Sequence, residues 1–307
     1  MSADVALWTV PLAMVGGALR VSAPFLFVSL GECITEKSGR VNLGLEGTLV
    51  MGAMAGFGVA YVSGSPWLGV LAAGAVGALF GLLHAWLCSL PRVNDIAVGI
   101  ALMVLGTGLA FFLGKPLIKP TAPQLPALDL GAWSEVQAVR AALRINVLLI
   151  VGVALAFALR LLFVRTKVGL ILRTVGESAD AARALGYHVV RVRTLATAAG
   201  GFLAGVGGSF LSLYYPGSWN EGLSSGQGLM GVALVIFSRW DPVRCLYASL
   251  LFGGAGALGP ALQSVGITTG YYLFGAAPYV LTLAIMIGTS SASRTLAGMP
   301  AELGAAR

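Results

Sequence analysis

Charge is what this sequence has least of. Only 10% of its 307 residues are charged, 12 acids against 19 lysines and arginines, while 57% are hydrophobic. The mean hydropathy is +0.89. A soluble domain of this size has no means of hiding so much apolar surface, whereas a polytopic membrane protein exposes it to lipid. The net charge of +7 is thin and sits in the loops. It reports orientation in a membrane, not a nucleic-acid footprint. Cysteine is also scarce. Cys33, Cys88 and Cys245 are odd in number, lie in or beside apolar segments and lack metal-ligand spacing, so they read as small packing residues. No H-E-x-x-H, no carboxylate pair at metal spacing and no G-x-S-x-G elbow occurs. The Gly114–Lys115 pair runs straight into proline, so there is no phosphate-binding G-x-x-x-x-G-K-[ST] loop. An enzyme is disfavoured, no cofactor is expected in this chain, and any active transport draws its energy from elsewhere. The N-terminus has neither a basic n-region nor a small-residue cleavage site, so no removable signal peptide is expected.

Long apolar runs, by contrast, are abundant. They cover 5–19, 20–35, 41–62, a stretch from the Gly-Ser-Pro turn at 63–66 to Leu90, 96–113, 146–164, 194–213, 226–239, 243–262 and 270–289. The pattern predicts an all-α polytopic membrane protein of about ten helices (8–10), organised as a single transmembrane domain over 1–307. Segments 5–35 and 226–239 are short and glycine-rich, so either is a candidate for a broken or re-entrant helix. Residues 114–145 hold four prolines and mixed charges, and read as an ordered extracytoplasmic loop. Ten spans would place both termini in the cytoplasm. A faint echo between NLGLEGTLVMGA at 42–53 and NEGLSSGQGLMGVA at 220–233 suggests two pseudo-symmetric halves of opposite topology.

The basic excess is concentrated at 165–193, where Arg165, Lys167, Arg173, Arg183, Arg191 and Arg193 face only Glu177 and Asp180. Standing between apolar runs, this segment must leave the bilayer, and its Lys/Arg excess assigns it to the cytoplasm. Within it, residues 176–186 read as one short helix. Ser178 is placed to cap it, Asp180 lies in the first turn where the dipole favours an acid, and Gly186 is a natural C′ residue, with Glu177 and Arg183 in the same segment. Ala179, Ala182 and Leu185 recur at helical spacing and form a small apolar ridge. Two readings stand: a topogenic loop that happens to be helical, or a docking ridge for another protein.

Glu46 is the costliest residue in the chain, an acid one turn into an apolar helix, with Asn42 four residues earlier on the same face. It either bonds buried backbone near a helix break or lines a substrate path. Asn94 and Asp95 follow Pro91 and open the next helix, so capping competes with a pathway role. Asn220 and Gln227 occupy equivalent places in the second half-unit. Tyr214, Tyr215 and Trp219 are positioned for an aromatic belt.

Several stretches are similar to a known family. ITEKSGRVNLGLEGTLVMGA, LRTVGESADAARALGYHVVRVR with the following GGFLAGVGGSFLSL, GLMGVALVIFSRWDP, APYVLTLAIMIG and MPAELG occur in this order across nearly the whole chain. Together they resemble the permeases of bacterial ABC importers in the ribose, branched-chain amino acid and nucleoside superfamily. More narrowly, they resemble the shorter permease of nucleoside or simple-sugar systems served by a lipoprotein. The resemblance implies a type II-like importer fold in the inner membrane, and a coupling helix at Gly176–Gly186. It further implies a longer sister permease, an ATPase with two nucleotide domains that binds ATP and Mg, and a substrate-binding lipoprotein. The block at Gly39, Asn42, Gly44, Glu46 and Gly47 matches the family without saying which residues touch substrate. Membrane lipid is the remaining expected partner. A secondary transporter using Glu46 as a proton or cation site is the alternative.

Overall fold

The computed structural model describes residues 9–264, 266, 274, 276–289 and 298–305. It is a helical bundle whose long helices are α1 (Thr9–Lys37), α2 (Leu45–Ser63), α3 (Pro66–Leu87), α4 (Asp95–Gly114), α6 (Val147–Arg165), α9 (Val189–Leu213) and α11 (Pro242–Ser264). These are the seven helices, among the described residues, long and apolar enough to cross a membrane. Shorter ones are α5 (Gln137–Ala142), α7 (Lys167–Glu177), α8 (Ala179–Ala184), α10 (Gln227–Phe237), α12 (Ala277–Thr289) and α13 (Ala301–Ala305). Between α4 and α6, strand β1 (Ala127–Asp129) pairs antiparallel with β2 (Arg144–Asn146).

Caps mark the boundaries where the sequence turns. Gly64 takes the left-handed conformation after α2, and Pro66 then opens α3 at a position where its missing N–H costs nothing. Asn94 caps α4 by accepting from Ile96 and Ala97, and Asn146 caps α6 by accepting from Leu148.

Helix α9 is the centre of the bundle and packs on α1, α2 and α3. The approach is backbone to backbone. A Cβ at Gly205 would run into the Ala73 carbonyl, and one at Gly208 into the Leu49 carbonyl. Small residues permit this closeness where lipid removes the usual hydrophobic drive for helix association. On α2 the tight contacts fall at Gly47, Gly52 and Gly56. By contrast α4 and α6 turn most of their apolar surface outward.

Two expectations need correcting. The described part of run 5–19, from Thr9 onward, and the run 20–35 form one helix, α1, of 29 residues with Pro24 inside; residues 5–8 fall outside the described residues. The apparent break at Gly16, Gly17 and Arg20 is absorbed by the neighbouring loop: the Arg20 guanidinium donates to the Ala141 carbonyl and Gly16 lies against Ala142. Helix α1 ends beside the basic segment, since Arg193 donates to the Ser38 carbonyl and Lys37 to that of Gly298. Its first turns therefore lie on the opposite face, with residues 141–142, while α13 lies on the basic face. The expectation that both termini are cytoplasmic falls on residues 1–8 and 306–307, which lie outside the described residues. Secondly, Trp219 is no belt residue. It is 1% exposed and fills the space that a side chain at Gly114 would need. Of the run 270–289, residues 270–273 and 275 fall outside the described residues, as does Arg294.

Candidate functional site

Glu46 joins the two stretches that echo one another in sequence. Its Oε1 accepts from Ser224 Oγ at 2.5 Å and from the Gly226 amide at 3.2 Å. Its Oε2 accepts from the Gly228 amide at 2.6 Å and the Leu229 amide at 3.3 Å. A carboxylate offers about four lone-pair sites, and all are taken. Glu46 also lies in the first turn of α2 while facing the first turn of α10, so two helix dipoles favour its negative charge. Gly228 is obligatory here, because a Cβ would stand 2.5 Å from the Glu46 Cα. Counted from Asn42 and Asn220, Glu46 and Ser224 are equivalent positions of the echo, and they bond to each other.

Around the loop 38–44 lies a second buried network. Asn42 is 1% exposed; its amide donates to Glu32 Oε1 at 2.7 Å, and its Oδ1 accepts from Gly44. The indole of Trp240 donates to Glu36. Arg40, also buried, pairs with Asp95 at 3.0 Å. Gly39 turns the chain with φ +82, and a Cβ there would meet the Glu302 Cβ at 2.8 Å. Asn42, Asn94 and Asp95 are thus consumed in building loops and caps. Asn220 is exposed on the 214–226 turn.

Gln227 is placed differently. Its Oε1 is buried with no hydrogen-bond partner among the described atoms, and its side chain lines a cavity of about 640 Å³ shared with Arg20, Pro24, Tyr215, Leu223 and Ser225. Pro24 has no N–H to give the Arg20 carbonyl. The volume falls in the range of small-molecule sites. Because Arg20 meets Ala141, the cavity lies toward the face opposite the basic segment, and Glu46 pins the 224–229 wall beneath it.

On the basic face, residues 176–186 form not one helix but the end of α7 and the whole of α8, divided at Ser178. Gly176 and Glu177 close α7. The Ser178 hydroxyl accepts from Ala181, and Gly186, at φ +82, ends α8 with Tyr187 donating to the Ala182 carbonyl. The predicted ridge is divided between two faces. Ala179 and Ala182 are buried against Val175 and Val189 of this same chain, whereas Leu185 is 67% exposed. The outward face is Asp180, Ala181, Arg183, Ala184 and Leu185.

The chain's last described helix fastens α8 in place. Glu302 accepts from the Ala179 amide at 2.8 Å and from Arg193 at 2.9 Å. Burial opposes its ionisation, but the Ala179 amide and the Arg193 guanidinium outweigh that and hold the carboxyl below its usual range. Anchoring should therefore be complete above the ordinary glutamate value of about 4.3 and be lost as pH falls through the lower folded value. A spin label at Ala305 should gain mobility in that acid window, and Glu302→Ala should show the same mobility at neutral pH. An immobile label in Glu302→Ala would mean that this carboxylate is not the anchor.

Residues 14–290 match the family model described as the permease component of branched-chain amino acid transport systems. The chain belongs to that permease family. It is 31% identical over 303 residues to the guanosine ABC transporter permease NupQ of Bacillus subtilis, covering 90% of this chain and 91% of the relative. To the nucleoside ABC transporter permease NupC of Lactococcus lactis it is 30% identical over 289 residues, with 89% and 90% covered. A third relative, the putative glucose ABC transporter permease TsgC13 of Haloferax volcanii, is 33% identical over 264 residues, covering 83% and 79%.

Sequence reasoning about this permease passed over Glu32, Glu36, Arg40 and Glu302. For the first two a signal exists: acids at i and i+4 inside an apolar run are as costly as Glu46. The Arg40–Asp95 and Glu302–Ala179 contacts span 55 and 123 residues and leave no local trace.

Proposed function

We propose that this permease is the membrane-spanning subunit of an ATP-driven importer that moves a nucleoside or a small sugar by alternating access. The observation that carries the reading is the pairing of two features on opposite faces. A cavity of about 640 Å³ lined by Arg20, Tyr215, Ser225 and Gln227 lies on one, and the outward side of α8 lies on the other. The relatives named for guanosine, nucleoside and glucose support a nucleoside first and a sugar second. A separate ATPase with two nucleotide domains, holding ATP and Mg, docks on α8. A second, longer permease completes the pathway, and a lipoprotein delivers the substrate. The Glu46–Ser224 contact between equivalent positions supports two related halves of opposite topology. Glu46, with every lone pair used, does not favour the secondary-transporter alternative. The test is co-purification: detergent-solubilised permease should bring down a nucleotide-binding subunit, and recovery of active permease without one would argue for a facilitator.

The same reading fixes orientation in a bacterial inner membrane. The Lys/Arg excess at 165–193 puts that face in the cytoplasm, with 114–145 and the start of α1 outside. Engineered cysteines at Gln124 and Ser178 are expected to react in intact cells at 124 and not at 178; the reverse would invert the topology. Native thiols will not interfere, since Cys33, Cys88 and Cys245 are free and buried, and burial beside Asp95 pushes the Cys88 thiol up to about 12.

A further inference from the structure

The geometry points to an anionic phospholipid site at the basic face, independent of the cargo proposed above. Five cations, Lys37, Arg160, Arg173, Arg239 and Arg244, line one open cavity of about 400 Å³ at the junction of α1, α6, α7 and the start of α11. Asp241 is the single acid among the lining residues. It pairs with Arg160 at 4.0 Å, and its other oxygen already accepts from the Val243 and Arg244 amides. Five positive groups against one carboxylate leave an excess that asks for an anion. The turn that brings Arg239 here is costly in backbone terms, since Arg239 and Trp240 both adopt positive φ, 51 and 55. Two successive residues with a Cβ in that region need compensation, and such strain gathers at binding sites.

What favours a lipid over a soluble anion or an acidic protein is the surface next to the pocket. Helix α6 ends at this face and α11 begins there, so the bilayer interior lies toward lower numbers on α6 and higher numbers on α11. Along those directions Arg160 continues into exposed Phe157, and Arg244 into exposed Tyr247 and Leu251 at i+3 and i+7. Leu161 and Val164 flank Arg160 and are exposed as well. A headgroup phosphate held by the arginines thus places its acyl chains on two apolar strips of helices that pack against each other. An ATPase surface would meet α8, whose outward side is formed by other residues.

The experiment uses purified full-length permease in mild detergent, titrated with phosphatidylglycerol, phosphatidylcholine or inorganic phosphate while thermal unfolding is followed. Phosphatidylglycerol should raise the midpoint, and phosphatidylcholine should not. In Arg160→Gln/Arg244→Gln the rise should disappear. If the double variant fails to fold, Arg244→Gln alone, scored by the amount of phosphatidylglycerol retained through purification, should show a several-fold loss. Three results would overturn the assignment: an equal rise with inorganic phosphate, which makes the pocket a free-anion site; retention of the lipid effect in the variants; or loss of ATPase binding in the variants with lipid retention unchanged, which makes it a protein contact.

Discussion

Glu46→Ala is expected to remove most of the correctly folded permease from the membrane. One carboxylate satisfies Ser224 and three amides of the 226–229 segment, and truncation leaves those donors buried and unpaired. Removing one partner from such an arrangement costs about 3–5 kcal/mol, a large part of a typical folding free energy. Glu46→Gln should cost less. Its oxygen can keep the Gly228 and Leu229 amides while its NH2 donates to the Ser224 hydroxyl, so the Gly226 amide alone meets another donor. Gly228→Ala should fail by a different route, because the added methyl meets the Glu46 backbone. Size-exclusion profiles and thermal midpoints of the three variants are the measurement. If Glu46→Gln folds with a wild-type midpoint and loses only uptake, Glu46 is a transport residue and not the tie between the two half-units.

The second large effect divides α8 into its two faces. Ala182 is completely buried among Val175, Val189 and its neighbours, so Ala182→Arg inserts a long charged chain into this protein's own packing. A loss of about 3–5 kcal/mol in stability should follow, with low yield of folded permease. Leu185→Glu should leave yield and midpoint unchanged, because that side chain is exposed. If α8 is where the ATPase docks, burying a carboxylate in place of leucine forfeits about 1.5–3 kcal/mol of apolar burial and adds a desolvation cost. Affinity for the ATPase should then fall by roughly 100-fold or more. The pair is informative because it crosses over. Leu185→Glu permease that binds the ATPase normally would remove α8 from the interface.

Much of this architecture was legible locally. Composition and run lengths placed the apolar segments, Ser178 and Gly186 marked the limits of α8, and the cost of an intramembrane acid singled out Glu46 with the backbone role it turns out to have. Two kinds of information were not local. Helical spacing says which residues share a face but not which way the face points, so Ala179, Ala182 and Leu185 read as one exposed ridge although two of the three are buried. Hydropathy, likewise, registers Arg20 as an interruption, because it has no knowledge of the Ala141 carbonyl 121 residues away that satisfies the guanidinium. The same holds for Gln227, whose place matters only once the cavity it lines exists, and for Glu302, whose role depends on a helix end far earlier in the chain.

ATP dependence is the property on which the whole account turns. The permease, its sister permease and the ATPase should be reconstituted in proteoliposomes with the lipoprotein and a labelled nucleoside outside. The account predicts accumulation above the external concentration only when ATP and Mg are enclosed with the ATPase, with no response to an imposed proton or sodium gradient. Accumulation driven by an ion gradient in vesicles that contain the permease without the ATPase would contradict it.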